Sequence, residues 1–332
     1  MSHMTRRDFL CSALGAAATA LISGSAVAHV FDQPPPGVKE VTGGRTTTLP
    51  TRILGRTGER VSMLGLGGEN GLRKLEPAAI PEAIINTALD QGITYCDCAR
   101  EYEDAEINYG RYLGKRRSKV FLATKVTARG YTDARRSIET SLRNLQTDHV
   151  DLLNVHHVQS LDDVDLITAK DGCLKALTEA REQGLARHLG CTGHRDPEAL
   201  MELLRRCDFD TIFMPMNAAG PHYMPFQGPL LDLAVARHMG ILTMKTLGRG
   251  TLVRGEHAIS IQDCINYTLT LPVTTAVIGI TRAEEIPQLV QAVRSFKPLS
   301  ASEVAALVER TKPFERIANF YKADSGAPWP DR

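Results

Sequence analysis

Between residues 61 and 295 the chain switches eight times from a short apolar run to an amphipathic stretch of helical length. The runs fall at 61–66, 94–98, 120–125, 151–156, 186–192, 211–216, 241–245 and 275–279, and the helical stretches at 81–91, 105–115, 132–145, 172–183, 197–205, 229–238, 261–271 and 283–295. Gly92, Gly184 and Gly240 each follow a helical stretch closely, as a left-handed C-terminal cap requires. Eight βα units in series favour a closed barrel over an open doubly wound sheet. An open dinucleotide-binding sheet would place a glycine fingerprint after its first strand. Gly65, Gly67 and Gly68 form only GLGG, without the third glycine or a helix onset, and read as a tight exit from the strand. The expected fold class is therefore α/β, a (β/α)8 TIM barrel. Two short strand-like runs flank Thr57-Gly58 just before it, which predicts an N-terminal β-hairpin capping the barrel.

The 332 residues divide into four segments: a leader over 1–28, a linker over 29–50, the barrel over 51–299, and a tail over 300–332 that is helical or lies over or beside the barrel. In the leader, Arg6-Arg7 precede an Ala-rich run ending in Ala26-Val27-Ala28, the three parts of a signal peptide cleaved after Ala28. Thr5-Arg6-Arg7-Asp8-Phe9-Leu10 resembles a twin-arginine export signal, so the export machinery is an expected partner and the destination is periplasmic or extracellular. The run's many Ala, Gly and Ser residues make a poor membrane span, and no stable membrane insertion is expected. The linker is marked by Pro34-Pro35-Pro36 and Gly43-Gly44. With 39 basic against 38 acidic residues and no basic stripe, nucleic acid is excluded as a partner. Seven cysteines include no CxxC and no metal-ligand spacing, so no metal is expected and the thiols read as buried; export would permit a disulfide, but spacing does not indicate one.

Four polar residues fall at the ends of successive strands. Asp97 lies in the second run, Tyr102 just past it, and Lys125 and His156 end the third and fourth, so a barrel brings all four to its top mouth. His157 would point to the opposite face of a strand from His156. A phenol at Tyr102 can protonate a carbonyl oxygen. The Lys125 ammonium would bring the phenol pKa down from about 10, Asp97 would hold the lysine, and His156 would orient the substrate. Lys125 could instead form a Schiff base, as in an aldolase.

This constellation resembles the aldo-keto reductase superfamily over roughly residues 53–295. The matching positions are Asp97 and Tyr102, Glu106 after the tyrosine, Lys125 in ATK, and His156 at the family's interval after Asp151-Leu152. The resemblance implies an oxidoreductase moving a hydride reversibly between a nicotinamide cofactor and an aldehyde, ketone or sugar carbonyl, with Tyr102 as general acid and base. It assigns the nicotinamide end to Thr192, Gly193 and Asn217, with Met216 where an aromatic often stacks. It assigns the pyrophosphate loop to Leu247, Gly248, Gly250 and Leu252, and the adenosine phosphate to Gly279, Thr281 and Arg282. NADP(H) is favoured by the family's habit. NAD(H) stays open because Glu285 stands where NADP-preferring members carry arginine. A non-catalytic nicotinamide-binding barrel serving as partner subunit or redox sensor is the alternative. Loops at 69–77, 159–171 and 218–228 and the tail would shape the substrate pocket, with His222, Tyr223, Met224 and Phe226 as candidate lining and 316–329 folded over the mouth. Their polarity points to sugars or small polar carbonyls. Export of the folded protein would carry the cofactor out already bound.

Overall fold

The computed structural model describes residues 48–323 except Glu76 and His257, so the expected leader, nearly all of the linker and the end of the tail lie outside the described residues. Strands β1 (Thr51–Ile53) and β2 (Arg60–Ser62) form the expected antiparallel hairpin, Thr51 opposite Ser62. Gly58 turns it at φ 73°, in the left-handed region that glycine enters without a Cβ penalty. The run read as one strand at 61–66 breaks at Met63: its first part completes the hairpin and its second part is barrel strand β3 (Leu64–Gly67).

From β3 the chain alternates as expected. Helix α1 (Ala79–Asp90), β4 (Tyr95–Asp97), α2 (Ala105–Leu113), β5 (Phe121–Val126), α3 (Tyr131–Leu145) and β6 (Val150–Val155) follow in order. Next come α4 (Leu161–Thr168), α5 (Cys173–Glu182), β7 (Ala186–Thr192), α6 (Pro197–Arg206), β8 (Thr211–Pro215), α7 (Pro229–Ala236) and β9 (Gly240–Met244). The series ends with α8 (Ile261–Thr270), β10 (Thr275–Gly279), α9 (Ile286–Arg294) and α10 (Ala301–Arg310). Strands β3 to β10 pair in parallel around a closed ring, β10 returning to β3 with Gly279 opposite Gly67.

Three expectations need correction here. Residues 159–171, read as a loop, contain α4, whose start is fixed by the Ser160 side chain accepting from Asp163 N; with only Val164 and Ile167 buried, its apolar stripe is too short to read. Gly240 does not cap a helix: it opens β9, where a Cβ would meet the Leu54 side chain at 2.6 Å, and His238 takes the left-handed position instead. His156 and His157 lie beyond the end of β6, not within it, and His157 adopts φ 57°.

The hairpin closes the N-terminal end of the barrel. Leu54 joins Val61, Tyr95, Phe121, Leu152, Phe213, Leu242 and Val277 in a continuous apolar cluster. Each large side chain removed from water there contributes about 1.5–3 kcal/mol. Charge pairs lock the same end: Asp151 accepts from Arg117 at 2.9 Å, Arg187 at 3.0 Å and the Leu122 amide at 2.8 Å. With the bottom closed, the strand ends at the top are the open face.

Candidate active site

The segment after β4 is held by a buried carboxylate. Glu106, at the start of α2, accepts from Thr124 Oγ1 at 2.8 Å and Asn144 Nδ2 at 3.1 Å and pairs with Arg100 at 3.2 Å, tying α2 to β5 and α3. The turn before it is short: Tyr102 N donates to Ala99 O and Ala105 N donates to Tyr102 O. This fixes Tyr102 over the strand ends.

The four strand-end residues meet. Lys125 Nζ lies 2.6 Å from Asp97 Oδ2, donates to Cys98 O at 2.5 Å, and sits 4.8 Å from the centre of the Tyr102 ring. The Tyr102 and His156 rings meet edge to face at 5.8 Å. His156 Nδ1 is 2.9 Å from Thr127 Oγ1, a partner the sequence reading did not single out. Lys125, held by a carboxylate and a carbonyl, is a poor Schiff-base nucleophile.

Burial sets the charge states. It lowers the His156 pKa well below the ordinary value, with Lys125 adding to the effect, so the imidazole is neutral and Glu101 at 3.8 Å makes no ion pair with it. Burial also pushes the Tyr102 phenol well above its ordinary value, and the Asp97 and Glu69 carboxylates push the same way. This departs from the expected depression by Lys125. The lysine's charge is largely cancelled by Asp97 at 2.6 Å, and Asp97 itself is raised by burial against the pull of Lys125. Tyr102 is thus held as an acid.

From this mouth a cleft of about 1040 Å³ runs over β3, β9 and β10. Asp97 and Tyr102 line one end; Thr281, Glu285 and Gln288 line the other. Of the residues assigned by resemblance, Leu247, Gly250, Gly279 and Thr281 are in its wall, while Gly248 and Leu252 are buried in the same loop and Arg282 adjoins Thr281 without lining the cleft. Gly250 has φ 91°, and a Cβ on Gly279 would meet Asn70 at 2.8 Å, so backbone comes close to the cleft at both places.

The nicotinamide flank differs from expectation. Thr192, Gly193 and Asn217 are not in the cleft wall. Thr192 Oγ1 accepts from His157 N, and Asn217 Nδ2 donates to Lys245 O at 3.1 Å and Tyr321 OH at 3.3 Å. A row of rings adjoins them: His157 stacks on His194 at 4.3 Å, and His194 meets Tyr321 at 5.9 Å. Met216 is fully buried, and Met244 lines the cleft instead. The candidate lining at 222–226 binds the tail rather than the cleft: Tyr223 OH donates to Ala323 O, Lys322 Nζ donates to Gly220 O at 2.8 Å and Tyr223 O at 2.5 Å, and Phe226 is buried. Glu69, Lys245 and Arg249 also line the cleft; they lie in segments read as a pocket loop and as the pyrophosphate loop, though none of the three was assigned a contact.

All six cysteines among the described residues are free thiols, five of them buried. None of the described residues form a metal-ligating cluster, and no described helix is long and apolar enough to cross a membrane.

Comparison with known proteins places this geometry. The fold is similar to that of the aldo-keto reductase AKR11C1 from Bacillus halodurans in its holo form, with a TM-score of 0.67 and 24% identity over 79% of this chain and 96% of that one. An uncharacterized oxidoreductase of Bacillus subtilis, YrpG, is 40% identical over 129 residues, a match spanning 32% of this chain and 39% of that protein. L-galactose dehydrogenase of Arabidopsis thaliana is 24% identical over 315 residues, covering 80% of this chain and 96% of that one. The aldo/keto reductase family profile matches residues 64–263. As that match covers more than half of the sequence, the chain belongs to the aldo/keto reductase family and is an NAD(P)-dependent oxidoreductase.

Proposed function

We propose that the chain moves a hydride reversibly between a nicotinamide dinucleotide lying in the cleft and the carbonyl carbon of an aldehyde, ketone or sugar, with Tyr102 as general acid and base. The observation that carries the reading is Tyr102 set between Lys125 and the neutral His156 at one end of a cleft large enough for a dinucleotide. The wall fits such a group: glycine backbone lines it at Gly67, Gly68, Gly250 and Gly279, and two buried donors, Thr246 Oγ1 and Arg249 Nη1, lack hydrogen bonds. When bound, the cofactor supplies or accepts the hydride at its nicotinamide ring.

The residues then divide the proton work. Tyr102, kept protonated by burial, donates to the carbonyl oxygen as negative charge builds there. His156 donates to the same oxygen in the tautomer where Nδ1 accepts from Thr127 Oγ1, 2.9 Å away, which leaves its proton on Nε2 for the substrate. Lys125 stabilises the phenolate left behind, and Asp97 keeps Lys125 charged and aimed. Sugars or small polar carbonyls are the favoured substrates, supported by the polar residues Glu69, Asn70 and Arg73 in the wall and by the sugar named in the Arabidopsis relative.

At the adenosine end we favour NAD(H) over the NADP(H) expected from family habit. Glu285 lines the cleft and accepts from Thr281 N at 3.2 Å, so a 2′-phosphate there would meet a carboxylate. Arg282, one residue from Thr281, supports NADP(H) as the second reading. Titrating the protein into each reduced cofactor and following nicotinamide fluorescence decides between them. NADH is expected to bind at least ~10-fold tighter; equal binding, or tighter NADPH, overturns the preference.

We also propose export by the twin-arginine route, on the strength of Thr5 to Leu10. Replacing Arg6 and Arg7 by lysine is expected to hold the protein in the cytoplasm; unchanged secretion would contradict it.

A further inference from the structure

Two cations in the cleft share one acid at a distance too long for a good bond. Lys245 Nζ lies 3.6 Å from Glu69 Oε2, and Arg249 Nη1 lies 3.7 Å from Glu69 Oε1, whereas a charge-assisted hydrogen bond closes to roughly 2.7–2.9 Å. Arg249 Nη1 is buried and has no hydrogen-bond partner. Two further cations act on Glu69, and both are already engaged: Arg73 is bonded to Glu103 at 2.5 Å and Lys125 to Asp97 at 2.6 Å. Both cleft cations also sit on strained backbone, Lys245 at φ 60° and Arg249 at φ 55°, where a side chain other than glycine, Asn or Asp is uncommon. Non-glycine residues persist there when something else in the structure needs their side chains in place.

An acid that satisfied these cations would be expected at closer range. Glu69 follows directly on Gly67-Gly68, and a Cβ on Gly68 would meet Asp97 O at 2.8 Å, so the loop is pressed against the catalytic strand. From there the Glu69 carboxylate reaches toward both cations without closing on either, and its side chain remains partly exposed to the cleft.

We propose that Glu69 is a built-in counter-ion: it stands in for the anionic bridge of the dinucleotide between Lys245 and Arg249, and the cofactor binds by displacing it. The inference rests on the cleft being the dinucleotide site. Lys245 then becomes a cofactor-binding residue, and Glu69 sets affinity by competing for the seat. The consequence is a sign reversal that a purely structural ion pair would not produce. Without cofactor, Glu69 relieves repulsion between Lys245 and Arg249. With cofactor, it adds a like charge beside the phosphates.

The test compares wild type with Glu69→Gln and Lys245→Met, titrated with NADH, NADPH and ADP-ribose by fluorescence and by thermal shift. Glu69→Gln is expected to lower the melting temperature of the cofactor-free protein yet bind ADP-ribose roughly 10-fold tighter. Its affinity should also depend more steeply on salt, because two uncompensated cations now meet the anion. Lys245→Met should weaken ADP-ribose by about 10-fold or more. Equal or weaker binding by Glu69→Gln, with wild type binding normally, would overturn the counter-ion and leave the dinucleotide cleft standing. Absence of dinucleotide binding in wild type and both variants would overturn the cleft reading and the counter-ion together.

Discussion

The two ends of the barrel use charged side chains in opposite ways. At the bottom, Asp151 is bonded by two arginines and a backbone amide within 3.0 Å, and Arg56 reaches Asp208 at 2.7 Å. At the top, Lys125 with Asp97, Arg73 with Glu103 and Arg129 with Asp163 are also tight, but one acid is held loosely: Glu69 stands 3.6 Å from Lys245 and 3.7 Å from Arg249. Backbone strain follows the same division. Of the seven non-glycine residues with positive φ among the described residues, Glu103, His157, Met224, Lys245 and Arg249 follow barrel strands, while Gln146 and His238 merely end helices. Left-handed residues at helix ends satisfy the last carbonyls. At the mouth no such account serves, and strain collects where ligands are held. Charges at the bottom hold the fold; charges at the top are positioned for something else.

That contrast can be broken by substitutions at each end. Lys125→Met is expected to have the largest effect, lowering turnover by at least ~100-fold and, by stranding the buried Asp97, costing about 3–5 kcal/mol of stability. Steady-state kinetics beside denaturant unfolding would show both losses. Asp151→Asn should lose about 2–3 kcal/mol through its arginines and the Leu122 amide while leaving kcat and KM alone. If Asp151→Asn instead lowered kcat, the division of labour between the ends would be wrong.

The pH profile sharpens the top end. Because burial raises the Tyr102 pKa, the acid form persists as pH rises, so carbonyl reduction should hold through neutral pH and fall only in strong alkali. Alcohol oxidation needs the phenolate and should climb across the same range. A reduction rate falling through pH 7 would contradict the raised phenol.

The smallest effect belongs to the tail. Among the described residues Lys322 is buried with no carboxylate partner, and burial drops its pKa from 10.5 to about 7. Between these values the unfolded chain carries a proton that the folded chain lacks, so stability should rise as pH climbs from about 7 toward 10.5. Thermal scans of wild type against Lys322→Met should show this rise only in wild type. Parallel curves would mean Lys322 keeps its proton.

What could be read from the sequence depended on whether a feature was local. The eight βα units were legible because buried strands are apolar and the helices between them amphipathic, and the caps at Gly92 and Gly184 have the positive φ they were read for. Gly240 misled because a glycine after a helix has two uses, and here it clears space for Leu54. The positions of Asp97, Tyr102, Lys125 and His156 were legible because strand ends converge in a barrel. The tie of Asn217 to Tyr321 was not, since the partners lie 104 residues apart and meet only through the folded tail. Nor was the direction of the Tyr102 shift, which depends on how completely Asp97 cancels Lys125. The glycine-rich loop holding Arg249 was legible, but the meeting of Glu69 with Lys245 and Arg249 was not, since it joins the loops after β3 and β9 only in the folded barrel.

The most direct test of the central claim is a single-turnover experiment with Tyr102→Phe and bound reduced cofactor, mixed with a small polar aldehyde. The variant should bind cofactor like wild type, because the phenol is not needed to hold it, and should consume nicotinamide absorbance at least ~100-fold more slowly. Consumption at the wild-type rate would remove Tyr102 as the general acid and, with it, the reading of this mouth as a hydride-transfer site.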